Sequence, residues 1–351
     1  MIFDIIPYLI VFIIIIYGIK YKSKYNNNII YFSLFVFSAF RYDVGFDYLG
    51  YLHTIVAGKY YEVERYEIGQ RILLLLSRNT FTQLFFIINS LICIYFFKFA
   101  IDRLSPNIAI SALAFFCFPN MFLYSMGVVR YSTALALVFY ASTFLKKKQI
   151  YHFLFFQMLA LLFHSGAIVG ILFVPLYYIK IPKCVNMTIL IIGFIGGEFV
   201  LSKILSGIFP ENVYGDKLLQ YANLDVGSGM NKIPYLFLFF DLLVLFGCGK
   251  LLKRSSEFYQ TFSIYNCGVA LMFLFSFQNT LSIRLSLPFL VYSLIIVSYV
   301  IQNEKSSVLS RRSKIFLFEF VCFILLIYTI TIVNATLGKS QYLPYRLFFF
   351  S

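Results

Sequence analysis

Along this chain, long apolar blocks alternate with short polar or basic patches, and the blocks themselves carry almost no charge. Runs of that kind read as transmembrane helices, since about 20 apolar residues cross a hydrocarbon core of about 30 Å. The first block covers 2–19 and is followed by Lys20, Lys22 and Lys24. The second starts at Ile29, and its apolar part stops near Phe40. Others follow at 79–97, 107–123, 128–145, 185–204, 234–248, 258–277, 285–301 and 315–333. The stretch 150–179 is long for one helix, has basic residues at both ends, and is interrupted by His164-Ser165-Gly166. Two short spans meeting at His164 satisfy both facts and place His164 at the apex of a helical hairpin. The pattern predicts an all-α polytopic integral membrane protein with about 12 transmembrane helices. It reads as a single integral membrane domain over 1–351, with polar loops at 41–78 and 209–232.

The second block is the exception. Twelve apolar residues rise only about 18 Å as a helix, short of the core thickness. The segment that follows, from Phe40 to Tyr51, gathers Arg41, Asp43, Asp47, Tyr42, Tyr48 and Tyr51. It is predicted to lie at interface depth, or to fold back under the shelter of protein. Further along the same loop, 72–76 is predicted to pack on the membrane surface.

Composition agrees with the pattern. The chain is 61% hydrophobic and 13% charged, which excludes a soluble globular domain. Its net charge of +14 would suggest nucleic acid for a soluble protein, but the placement of the charge gives another reason. Loops after odd-numbered spans hold about 17 Lys and Arg against about 3 acids, while the rest of the chain holds about 12 of each. The basic loops are therefore expected in the cytoplasm, with both termini, 41–78 and 209–232 extracytoplasmic and no nucleic-acid partner. The first block lacks the basic n-region and cleavage site of a signal peptide and is expected to remain as a span. Six cysteines scattered through apolar runs, without CxxC spacing, read as small buried hydrophobes.

Positive residues on the outer side need a reason that the cytoplasmic ones do not. Arg130 opens the 128–145 block, and an arginine beside a helix N-terminus builds an anion site. The alternative is a packing ion pair with Asp43 or Asp47. Arg284 has the same address at the head of the 285–301 block, and Arg41 makes a third. Three arginines on one face would suit a pyrophosphate, whose oxygens accept forked N–H donors. His164 reads as a capping residue or as a general base. Asp43 and Asp47 stand four apart, so on a helix they would share a face and coordinate a metal, serve as acid and base, or form a structural salt bridge with the adjacent Arg41. Asp241, Glu319 and Glu198 are candidate members of buried polar pairs. His53, His152 and His164 are too dispersed for a zinc site, and no metal or cofactor is expected.

These residues fall in a familiar order. Arg41-x-Asp43-x-Gly45-x-Asp47-Tyr48-x-x-Tyr51, then Tyr66-Glu67-x-Gly69, Val129-Arg130, and Leu162-Phe-His164-Ser-Gly-Ala-Ile168 resemble the EpsG family of Wzy-like polymerases of bacterial surface polysaccharides. The motifs cover roughly 40–175. Where the family commonly carries Gln after the arginine, this chain has Tyr131. The resemblance implies a multi-pass protein of the bacterial cytoplasmic membrane. It implies a glycosyltransferase that moves a glycan from an undecaprenyl-pyrophosphate donor onto a lipid-linked repeat-unit acceptor on the outer face. Arg130, Arg41 and Arg284 would then bind the pyrophosphate, and His164, Asp43 or Asp47 would take the acceptor proton. Lipid-linked oligosaccharides, membrane lipids and a chain-length regulator protein are the implied partners. A lipid-linked oligosaccharide flippase, a polyprenyl-linked glycan ligase and a polyprenyl-phosphate-sugar glycosyltransferase are the competing readings.

Overall fold

In the computed structural model, residues 2–21, 23–58, 60–179, 181–196, 233–276, 279–303, 310–333, 335–336 and 339–350 are described. The predicted loop 209–232 and Glu198 lie outside them. Among the described residues, three helices are long and apolar enough to cross a membrane: Leu84–Leu104, Asn279–Gln302 and Arg312–Thr331. Shorter apolar helices include Ile108–Cys117, Val129–Leu145, Ile150–Leu161, Lys183–Gly196 and Ile233–Gly247. The chain is an α-helical membrane protein, built as two compact units: Met1–Ile171 with Val297–Ser351, and Leu172–Ile296.

The first unit is built around α6 (Leu84–Leu104) and α9 (Val129–Leu145), which pack on each other. α2 (Lys24–Ala39) lies against α6, and α1 (Ile2–Lys20) against α2. α2 begins earlier than its apolar residues suggest. Ser23 accepts the Tyr25 N–H as an N-cap, so the asparagine run joins the helix and lengthens it to 16 residues. The predicted span 107–123 is broken instead. α7 (Ile108–Cys117) stops at Phe118, which the following Pro119 holds extended (φ −71°, ψ 140°). A short α8 (Phe122–Gly127) then leads into α9.

The segment after α2 is neither a helix nor a plain loop. Arg41–Tyr42 forms a short strand paired antiparallel with Arg346–Leu347 from the C-terminal tail. The region 41–78 contains α3 (Tyr48–Val56), α4 (Tyr60–Val63) and α5 (Ile68–Asn79). α5 is amphipathic: Leu73 and Leu74 are buried while Ile72 and Leu76 are exposed. The apolar stretch 150–179 does divide near His164. α10 (Ile150–Leu161) ends there, and a 3-10 helix covers Ser165–Leu172. Gln157 Nε2 donates to the Ala167 carbonyl at 2.5 Å, so the chain doubles back across this break.

In the second unit α11 (Lys183–Gly196) packs on the helix Ser256–Leu274. A Cβ at Gly193 would stand 2.5 Å from the Ala270 carbonyl oxygen, so the close approach requires glycine. Asn186 donates to Ser263 at 2.8 Å in the same seam. Buried Asp241 accepts from Asn266 Nδ2 at 3.2 Å, a carboxyl–amide pair between two helices. Glu319, in the helix Arg311–Tyr328 of the first unit, is only half-buried.

Candidate active site

One end of the first unit brings together four stretches of sequence: 41–51, 66–70, 127–133 and 162–167. Two glycines make this possible. Gly45 has φ +100°, and a Cβ there would collide with the Met126 carbonyl. The turn therefore lies directly on the end of α8, and the Asp47 N–H donates to the Gly127 carbonyl at 3.1 Å. Gly69 donates its N–H to the Leu162 carbonyl at 2.8 Å, and a Cβ would meet that oxygen at 2.8 Å. The start of α5 thus sits against the chain reversal that carries His164.

Arg130 is the residue on which these stretches converge. Its Nε donates to the Tyr51 hydroxyl at 2.8 Å, and its Nη1 to Glu67 Oε2 at 3.1 Å. The Tyr66 ring lies under the guanidinium, 4.6 Å from Cζ to the ring centroid. The Arg130 side chain stays 28% exposed, and among the described residues its Nη2 has no protein acceptor. Glu67 reaches further. Its Oε1 accepts the Ser165 N–H at 3.0 Å, so one carboxylate touches both Arg130 and the His164 turn. Burial alone would raise the Glu67 carboxyl. Hydrogen bonds from the Ser165 N–H and from its own N–H, with the charges of Arg130 and His164, outweigh that and hold it below the usual glutamate range.

His164 is buried, and its Nδ1 accepts the Gly166 N–H at 2.9 Å. By that bond, the neutral ring carries its proton on Nε2. Tyr131 presents its ring to the imidazole edge-on, with centroids 5.4 Å apart. Behind the site runs a buried amide network. Gln70 Nε2 donates to Asn89 Oδ1 at 2.8 Å, and the Thr133 hydroxyl donates to the same oxygen at 2.9 Å. It fixes α5, α6 and α9 against one another one turn below Glu67 and Arg130.

The remaining candidates are placed differently. Arg41 is 1% exposed and directed at backbone carbonyls: those of Val44 at 3.0 Å, Met126 at 2.9 Å and Ser38. Phe86 and Tyr48 lie over its faces. Burial lowers this guanidinium to about 10, against the raising charge of Tyr48, which leaves it charged at neutral pH. Asp43 and Asp47 do not share a helix. Asp43 is exposed in the turn with φ 52°, whereas Asp47 stands at the start of α3. Asp47 is the nearer to the site, since its carbonyl accepts the Tyr51 N–H at 3.0 Å. Arg284 is half-buried on the helix Asn279–Leu290 in the second unit. Exposed His53 is on α3, and His152 stacks on Phe144 at 5.2 Å.

An arginine clamped by tyrosine and carboxylate at one end of a helical membrane unit defines a candidate anion-handling site of a membrane enzyme. Comparison with known families agrees with the motifs that build it. The EpsG family matches residues 24–347, nearly the whole chain, and the chain belongs to that family. No curated protein and no solved structure matches it.

Proposed function

We propose that this protein is a polysaccharide repeat-unit polymerase of the bacterial cytoplasmic membrane. It transfers a glycan from an undecaprenyl-pyrophosphate donor to a lipid-linked repeat unit on the outer face. Family membership supports a role in polysaccharide synthesis. The observation that carries the finer reading is Arg130, gripped through Nε, Nη1 and its ring face while its side chain stays 28% exposed. A preorganised guanidinium is what a departing diphosphate needs, because charge develops on its oxygens as the bond breaks.

In the proposed reaction the acceptor hydroxyl oxygen bonds to the anomeric carbon as the carbon–oxygen bond to the diphosphate breaks. The undecaprenyl pyrophosphate leaves with the electron pair, its new charge facing Arg130. His164 with its proton on Nε2 suits a hydrogen-bond donor better than a base. The acceptor proton passes to Asp47, the carboxylate nearer Tyr51. Arg41 holds the turn that positions α3, and Arg284 is a second candidate for lipid-linked phosphate.

The helix polarity supports the proposed orientation. Arg130 heads α9, which runs to Lys146–Lys148, and α6 starts beneath the site and ends at Lys98 and Arg103. The basic ends and the site are thus at opposite ends of the same helices, and the positive-inside rule puts the site outside. The test is purified protein in lipid bilayers supplied with an undecaprenyl-pyrophosphate-linked repeat unit. Release of undecaprenyl pyrophosphate alongside longer lipid-linked chains is expected. Movement of repeat units across the bilayer without joining would replace this reading with a flippase.

A further inference from the structure

The sequence offers Glu67 only as a letter in a motif, but the structure gives its carboxylate two contacts on separate segments. Oε2 holds Nη1 of Arg130 at 3.1 Å, and Oε1 holds the Ser165 N–H at 3.0 Å. The next N–H, of Gly166, is the donor that fixes Nδ1 of His164 as an acceptor at 2.9 Å. We propose that Glu67 is the positioning residue of this site, setting the Arg130 guanidinium and the His164 imidazole relative to each other through one carboxylate. The inference rests on the polymerase reading for its catalytic consequence, but its geometric content stands apart from that reading.

Gly69 explains how the carboxylate reaches both partners. Without a Cβ at that position α5 closes to hydrogen-bond distance of Leu162, two residues before His164. Glu67 then caps the turn at Ser165 from one side and meets Arg130 from the other. Its charge is needed as well as its shape. A neutral amide of the same size would still accept the Ser165 N–H but would leave the guanidinium without its counter-charge. The charged and titratable groups around Glu67 and His164 are Asp47 and Tyr51 from α3, Tyr66 beside Glu67, Arg71 from α5, and Arg130 and Tyr131 from α9. Arg130 and Glu67 form an ion pair at 3.1 Å.

The experiment compares Glu67→Gln and Glu67→Asp with the wild type, all as full chains in lipid bilayers. One readout is the nitrogen-15 spectrum of labelled histidine, with His164→Gln to assign the His164 signals among the three histidines. The wild type should show Nδ1 bare and Nε2 protonated when the ring is neutral. Glu67→Gln should keep that tautomer but lower the titration midpoint of His164 by roughly one unit, because a stabilising negative charge is gone. Glu67→Asp should return the midpoint toward the wild-type value. The second readout is the polymerisation rate, which should fall on the order of a hundredfold in Glu67→Gln, the scale of a displaced catalytic group. An unmoved midpoint, or a Glu67→Gln rate equal to wild type in a protein whose Arg130→Ala variant is inactive, overturns the positioning role. An active Arg130→Ala variant would instead overturn the polymerase site and leave the midpoint shift as the measure of Glu67.

Discussion

Two arginines of this protein show how differently one side chain is used. Arg41 is enclosed, with its donors spent on carbonyls from three segments and aromatic rings over its faces. Arg130 is held by two acceptors and a ring and keeps exposure for a ligand. The first is a fastener for the turn that carries α3. Replacing it with Ala would leave buried carbonyls without donors, at about 1–3 kcal/mol each. Lysine would serve less well, because its three donors sit on one compact nitrogen and lack the planar fork that reaches carbonyls on separate sides. Arg41→Ala is expected to lower the amount of folded protein in the membrane and its thermal midpoint, read by detergent-solubilised size exclusion on heating. An unchanged midpoint together with lost polymer would instead put Arg41 among the ligand-binding residues. Glu67 lends a pH sign to the same scale. Its carboxyl is held below the usual range, so the Arg130 pair persists through neutral pH. The pair is lost only as pH falls through that lowered value.

Among the elements, the C-terminal tail has the least local reason for its place. Residues 341–347 lie across the turn at 41–45. The Gly45 N–H donates to the Gln341 carbonyl at 3.0 Å, and Arg41–Tyr42 pairs with Arg346–Leu347. Tyr345 stacks on Phe37 at 4.2 Å and donates its hydroxyl to the Phe37 carbonyl at 2.7 Å. Deleting 341–351 is expected to loosen the turn and expose Arg41, with faster proteolysis after 41 and loss of activity. A truncated protein as protease-resistant and active as the full chain would show the strap to be dispensable. The sequence marked the motif residues of this turn but not their geometry. Asp43 and Asp47 look helical at a spacing of four until Gly45, at φ +100°, turns the chain between them. Glu67 was visible beside Tyr66 and Gly69, yet its partners are 63 and 98 residues away, beyond anything periodicity reports. The break at 118–119 was missed in the predicted span 107–123, although its signal was there in Pro119, which forces its neighbour out of the helical region.

For the whole molecule, hydropathy carried the all-helical membrane character, because a membrane allows few backbone solutions other than helices. What they left out was how short helices such as α3, α5 and α8 fold against one end of the first unit, where contacts rather than lipid decide. At that end Tyr8 near the start of α1 donates to the Tyr342 carbonyl at 2.5 Å, so the start of α1, the tail and the motifs meet. The basic residues that end α6 and follow α9 stand at the far ends of those helices, which supports the proposed placement of the chemistry on the outer surface. The central claim is that Arg130 serves the joining of repeat units there. The measurement that tests it most directly is the surface-polysaccharide ladder of a strain lacking this protein, complemented with wild type or with Arg130→Ala at equal membrane level. The account predicts a full ladder for the wild type and, for Arg130→Ala, a ladder collapsed to a single repeat unit. A full ladder from Arg130→Ala would contradict it.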